Sequence, residues 1–299
     1  MTTSTDPKKR RLSFLYRIAV NTVNKWVADD IPMHGAALAF YTIFSIAPVL
    51  IIVATAIGWL WGDYTAMYEI RRVVNDYLEP QMARTVNEIM NQAVSQTSVA
   101  MPIISGLVLA FASTTAIAQL KYTLNTIWGV RIKDGKGMIQ FIVDRLLALL
   151  LIFSLTLLLM LSVIFDTILY AIAPRIEAIT ELNLGIADIF NTSLLWLTTY
   201  VLFFVIFKVL PDVYLRWRDV ALGALVTTVL FMFGKFAIGW YLKNFGSYDA
   251  FGAAGTFVIL LIWVYYNAQV VYLGAESIQV YMTMKNRPVQ PKRFAYFEE

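Results

Sequence analysis

IPMHGAALAFYTIFSIAPVLIIVATAIGWLWG, residues 31–62, contains no acidic residue, lysine or arginine anywhere along its length. A helix that crosses the hydrocarbon core of a bilayer needs about 20 mostly apolar residues. This stretch is long enough and apolar enough to be one. Uncharged runs recur at 89–120, 146–165, 189–207 and 250–275, and the apolar stretch 220–242 is interrupted only by Lys235. They predict six membrane-spanning helices, near 36–61, 98–120, 141–170, 187–209, 220–242 and 253–281.

The composition of the 299 residues agrees. Charged residues make up 15% and hydrophobic ones 59%, where a soluble domain carries about 25% charged residues. Mean hydropathy is +0.65. The expected fold is all-α: a polytopic membrane protein with six transmembrane helices, an N-terminal interfacial helix and short outer amphipathic helices. Residues 1–34 form a cytoplasmic N-terminus with the interfacial helix. Residues 35–283 form the membrane domain, including the outer helical segment 64–96, and 284–299 form a cytoplasmic tail.

Charge placement orients the chain. Lys8, Lys9, Arg10, Arg11, Arg17 and Lys25 precede the first span, and Lys121, Arg131, Lys133 and Lys136 follow the second. Lys208, Arg216 and Arg218 lie between the fourth and fifth, and Lys285, Arg287, Lys292 and Arg293 follow the sixth. With Arg145, one side holds 18 basic residues and the other 5. The excess of lysine and arginine in cytoplasmic loops places both termini in the cytoplasm. No cleavable leader is read at the N-terminus, because the first apolar run is too long for a signal core.

Two segments outside the spans have helical periodicity. Leu12, Leu15, Tyr16, Ala19, Val23, Trp26 and Val27 form one stripe, with Arg17, Asn21, Asn24 and Lys25 off it. That pattern predicts a helix lying in the membrane interface. Ile70, Val73, Val74, Tyr77 and Leu78, then Val86, Ile89, Met90 and Ala93, predict two short amphipathic helices divided by Pro80.

GAALAFYTIFSIAP (35–48), STTAI followed by LKYTLNTIWGV (113–130) and LPDVYLRWRDVALGAL (210–225) resemble the YihY/BrkB family of bacterial inner-membrane proteins. Gly234-Lys235, FGAAGTF (251–257) and LIWVYYNAQVVYLGAES (261–277) extend the resemblance over about residues 15–285. It implies six-helix proteins, some linked to resistance against host killing and others to moving lipid or lipid-like envelope precursors. An older ribonuclease label attached to the family looks like a misassignment.

The residues speak to that label directly. Phosphodiester hydrolysis needs clustered carboxylates holding metal ions, or histidine acid/base pairs. This chain has one histidine, His34, and no cysteine. Asp29, Asp30, Asp134, Asp212 and Asp219 read as scattered, with Asp29-Asp30 capping the turn before Pro32. No enzyme activity, cofactor or metal site is expected. The adjacent span makes the basic N-terminus a membrane partner, with no nucleic acid expected.

The candidate functional residues are the polar groups within the spans. Lys235 lies about 10 Å from the outer end of the fifth span, counted at 1.5 Å per residue. A cation at that depth either snorkels, pairs or lines a cavity, and Asp166 lies at similar depth as its natural partner. Glu276 falls near the cytoplasmic face, level with Lys208, Asp144 and Arg145, which allows an inner charge network. Asn267, Gln269, Ser113, Thr114 and Thr115 fall near mid-membrane, where polar side chains bond between helices or line a wet path.

No G-x-x-x-x-G-K-[ST] phosphate loop occurs, so any transport would be gradient-driven or passive. Two functions remain open. One is a transporter-like protein handling lipid or another amphipathic envelope component, with membrane lipids and a lipid-like substrate as partners. The other is a non-transporting structural or accessory protein for envelope integrity. The sequence leaves the oligomeric state open.

Overall fold

The computed structural model describes residues 7–61, 63–77, 80–95, 102–133, 138–139, 141–154, 157, 186–245 and 252–298. The chain begins with α1 (Pro7–Ala28), turns at Asp29 and Asp30, and continues as α2 (Ile31–Trp61). Asp30 adopts a φ of 50° and its carbonyl accepts from Met33 N at 3.0 Å, so one left-handed residue makes the corner. A short polar side chain tolerates that conformation best after glycine. Two helices follow, α3 (Asp63–Tyr77) and α4 (Pro80–Ser95), with the break at Pro80. Proline suits the first turn of a helix, where its missing N–H costs nothing, and Pro102 opens α5 (Pro102–Ile127) in the same way.

Next come β1 (Val130–Ile132) and a helix α6 covering residues 141–154. Then follow α7 (Ile186–Val209), β2 (Val213–Tyr214), α8 (Trp217–Phe245) and α9 (Gly252–Met284). The tail adds β3 (Gln290–Pro291) and β4 (Ala295–Phe297). Among the described residues, Thr192–Val209, Trp217–Tyr241 and Phe257–Met284 are long and apolar enough to cross a membrane, and Ile31–Ile46 is a shorter apolar helix.

The bundle is built around α9, which packs against α1, α2, α4, α5 and α8. Its C-terminal half is sealed by Tyr272, Ala275 and Ile278, against Leu124 and Ile127 of α5, Phe207 of α7 and Ala224 of α8, all buried. Helix backbones come close where a residue is small, because lipid gives no hydrophobic drive and contact must come from packing. Gly274 shows this directly, since a Cβ there would stand 1.9 Å from Thr227 Oγ1 of α8. At Gly234 of α8, a Cβ would stand 1.9 Å from the Tyr266 ring.

The outside of the bundle is apolar. Leu222, Leu225, Val229, Phe233, Phe236 and Trp240 of α8 are all exposed at three- and four-residue spacing. Leu146, Leu150 and Phe153 do the same on α6, and Phe40 and Phe44 on α2. Contiguous exposed stripes of this size do not suit water and mark a lipid-facing surface. On α1 the apolar stripe also faces outward, through Leu15, Tyr16, Val23 and Val27, while Thr22 is buried.

The fold is mostly helical, consistent with the all-α expectation, and the tail adds short strands to it. The tail forms two antiparallel ribbons, β4 with β1 (Val130 opposite Phe297) and β3 with β2 (Val213 opposite Pro291). Runs of two or three residues carry no periodicity to read, so nothing in the sequence marked them. The ribbons tie the segments after α5, between α7 and α8, and after α9 to one end of the bundle.

Candidate functional site: a charge network at the stapled end

Lys121 lies on the last turns of α5 and is 4% exposed. Its ammonium meets Asp144 Oδ1 of α6 at 2.6 Å and Asp212 Oδ2 at 2.9 Å. Asp212 precedes β2 and is bound on every side. Asn125 Nδ2 donates to its carboxylate at 2.8 Å, its own N–H donates to Asn125 Oδ1 at 2.8 Å, and its carbonyl accepts from Lys292 N at 2.8 Å. One turn of α5 separates Lys121 from Asn125, so both side chains leave the same helix face.

Lys292 extends the network. Its ammonium donates to the Val209 carbonyl at 3.0 Å, and burial holds its pKa below the usual lysine value, with Asp212 opposing and Lys121 and Lys208 reinforcing. Lys208 donates to the Leu215 carbonyl and lies 4.9 Å from the Trp217 ring. A separate pair joins Arg287 of the tail to Asp219 in the first turn of α8, a residue that is 2% exposed. An acid there also suits the helix N-terminus.

Glu276 belongs to a second cluster. It is fully buried, with Lys25 Nζ at 3.5 Å, and Lys25 also pairs with Asp29. The Ile127 carbonyl accepts from Lys25 at 3.4 Å and from Gln279 Nε2 at 2.6 Å.

The four residues read at one level, Glu276, Lys208, Asp144 and Arg145, fall into separate groups. Asp144 and Lys208 surround Lys121 and Lys292, whereas Glu276 answers to Lys25 on α1. Arg145 turns back towards α5, donating to Thr114 Oγ1 at 2.6 Å, with Thr115 Oγ1 at 3.4 Å and the Phe111 ring 4.3 Å away. Thr114 and Thr115 are thus helix–helix contacts, while Ser113 lies beside them on α5. Gln269 accepts from Trp26 Nε1 at 2.9 Å, and Asn267 donates to its own helix at the Trp263 carbonyl at 2.7 Å. Lys235 donates to the Asp76 carbonyl in the last turn of α3. Asp166, its expected partner, lies outside the described residues.

Asp212 and Asp219, which read as scattered in the sequence, are each paired with a base. Lys121, Asn125 and Lys25 were missed as site residues, although two of the three stand inside LKYTLNTIWGV. A lysine and an asparagine four residues apart were the available signal. Among the described residues, no group of three or more histidine or acidic side chains is placed to hold a metal ion.

Long apolar helices with lipid-facing stripes outside define a multi-pass helical membrane protein. Residues 22–295 match the family described as virulence factor BrkB, and the chain belongs to that family. Among its relatives, the UPF0761 membrane protein MS0032 of Mannheimia succiniciproducens is 28% identical over 267 residues, which cover 86% of each chain. A UPF0761 membrane protein of Tolumonas auensis is 26% identical, over 83% of this chain and 80% of its own length. One from Actinobacillus pleuropneumoniae is 25% identical, over 87% and 92%. No solved structure matches the chain.

Proposed function

We propose that this protein is a transporter-like component of the bacterial inner membrane that handles lipid or another amphipathic envelope molecule. It spans the bilayer six times with both termini in the cytoplasm, α1 lies in the inner interface, and α3 and α4 cover the outer end. It acts without enzyme chemistry or cofactor, and its partners are membrane lipids and not nucleic acid. The observation that carries this reading is Glu276, a fully buried carboxylate on a helix with the length and apolarity of a span. Ionisable groups in that position are costly and mark pathways by default.

A second reading, a non-transporting structural protein, draws support from the stapled end. Lys121, Asp144, Asp212 and the tail ribbons fasten four segments together with no moving part required. An electron cryomicroscopy map of the protein in nanodiscs of bacterial lipid separates the two. Lipid density entering the bundle supports the first reading. A bundle closed by protein on every side contradicts it and leaves the second.

A further inference from the structure

Arg145, in the first turns of α6, turns to α5 and away from the charges beside it. Its Nη1 donates to Thr114 Oγ1 at 2.6 Å and to the Phe111 carbonyl at 3.2 Å, with Thr115 Oγ1 at 3.4 Å. Nε and Nη2 carry three of the five guanidinium N–H donors. Among the described residues they make no hydrogen bond, and no carboxylate lies within ion-pair distance of Arg145. Asp144, the preceding residue, is held by Lys121 at 2.6 Å. Lys121, Lys208 and Lys292 already outnumber Asp144 and Asp212 in that network. The Arg145 charge is therefore left without an anion of its own among the described residues.

The same guanidinium stands at the surface of the bundle. Its Cζ lies 4.3 Å from the centre of the Phe111 ring and 5.2 Å from that of Phe141, residues that are 56% and 48% exposed. Leu146, Leu150 and Phe153 continue the exposed apolar surface along α6. Thr114 lies seven residues before Lys121, about 10 Å along α5 from the charge network. A cation on an apolar, lipid-facing surface is costly unless an anion meets it. Contact with the two rings offsets part of that cost but leaves the charge unneutralised.

We propose that Arg145 holds the phosphate of a glycerophospholipid whose acyl chains lie along the Leu146, Leu150 and Phe153 stripe. Nε and Nη2 form the planar edge of the guanidinium that matches two phosphate oxygens at once. Thr114 and the Phe111 carbonyl hold the opposite nitrogen, so the edge is already oriented before lipid arrives. A phospholipid brings the anion and the apolar chains in one molecule, whereas a hydrated free ion gains nothing from two phenyl rings. This inference deepens the lipid-handling reading, on which its purpose rests: it names phosphate as the recognised group and the α5–α6 surface as the place.

Photolabelling of the full-length protein in nanodiscs tests the site. One probe is a phosphatidylglycerol with a diazirine near the start of an acyl chain, and the other is a diacylglycerol with the same group and no phosphate. Labelling over residues 141–154 is read against 220–233, which has exposed apolar side chains and no charged residue. The phospholipid should favour 141–154 several-fold more than the diacylglycerol does. Arg145→Gln should remove that preference, and Arg145→Lys should retain part of it. Equal ratios for the two probes in the unmodified protein would overturn the proposal, with no variant needing to fold. Protection of 141–154 from both probes would place protein on that surface and overturn it too, as would loss of the preference in excess inorganic phosphate, which would assign the guanidinium to a free ion. Lipid movement between leaflets is read separately. A missing preference with movement intact contradicts this site alone, and a preference without movement contradicts the transport reading alone.

Discussion

Asn125 and Asp212 hold each other twice, side chain to carboxylate and backbone N–H to side-chain oxygen, both at 2.8 Å. The double contact fixes the corner between α7 and β2 against α5, and it turns the Asp212 carboxylate to Lys121. From that corner the tail ribbon β2–β3 and the Lys292 contact follow. The stapled end of the bundle is organised around one aspartate.

Removing the central cation should therefore cost more than removing either edge. Breaking a buried ion pair by deleting one partner costs about 3–5 kcal/mol, because the remaining charge is left uncompensated. Lys121→Met strands two carboxylates, whereas Asp144→Asn leaves Lys121 still paired with Asp212. Thermal unfolding in detergent should show Lys121→Met well below Asp144→Asn. Equal losses would show that Asp212 does not share the lysine.

The α8–α9 contact makes a second, steric prediction. Gly274→Ala places a methyl 1.9 Å from Thr227 Oγ1, so the Thr227 side chain or the helix contact must shift. Overpacking of this kind costs about 1–3 kcal/mol. Adding Thr227→Ala removes the nearest atom and should restore most of the loss, a coupling that a double-mutant cycle reads directly. Strict additivity would place the close contact elsewhere.

Lys235 predicts a local effect. Its ammonium bonds the Asp76 carbonyl, one of the last orphan acceptors of α3. Lys235→Met should raise amide hydrogen exchange over 63–77 several-fold while leaving α9 unchanged. If Asp166→Asn produces the same change in α3, the lysine answers to that carboxylate as well.

Most of the bundle was legible because apolar length and charge placement are additive along the chain. The run 31–62 is helical almost throughout, and Pro80 separates two helices as its ring requires. Lys25, Lys121, Arg287 and Lys292, placed on one side by charge alone, do gather at one end of the structure. The partners of each charge were not legible. Which carboxylate faces Lys121 depends on helix rotation and on how the chain returns from distant positions. Depth along a span put Arg145 level with Glu276, but rotation about α6 sends it to Thr114. The strands of the tail were invisible for a different reason, since two- and three-residue pairings have no pattern of their own.

The reporter topology expected from the basic residues is checked by fusion. A cytoplasm-dependent reporter should be active after Glu299 and silent when inserted near Gln92. Activity at both positions would reject the arrangement in which α3 and α4 face outward.

The most direct measurement of function is movement of a fluorescent phospholipid between leaflets of liposomes that contain the purified protein. Translocation should be faster than in protein-free liposomes and should fall back towards that baseline in Glu276→Leu, while Gln92→Ala, away from the buried carboxylate, retains the full rate. Identical rates with and without the protein, across phospholipid classes and with a pH gradient imposed, would contradict the lipid-handling account.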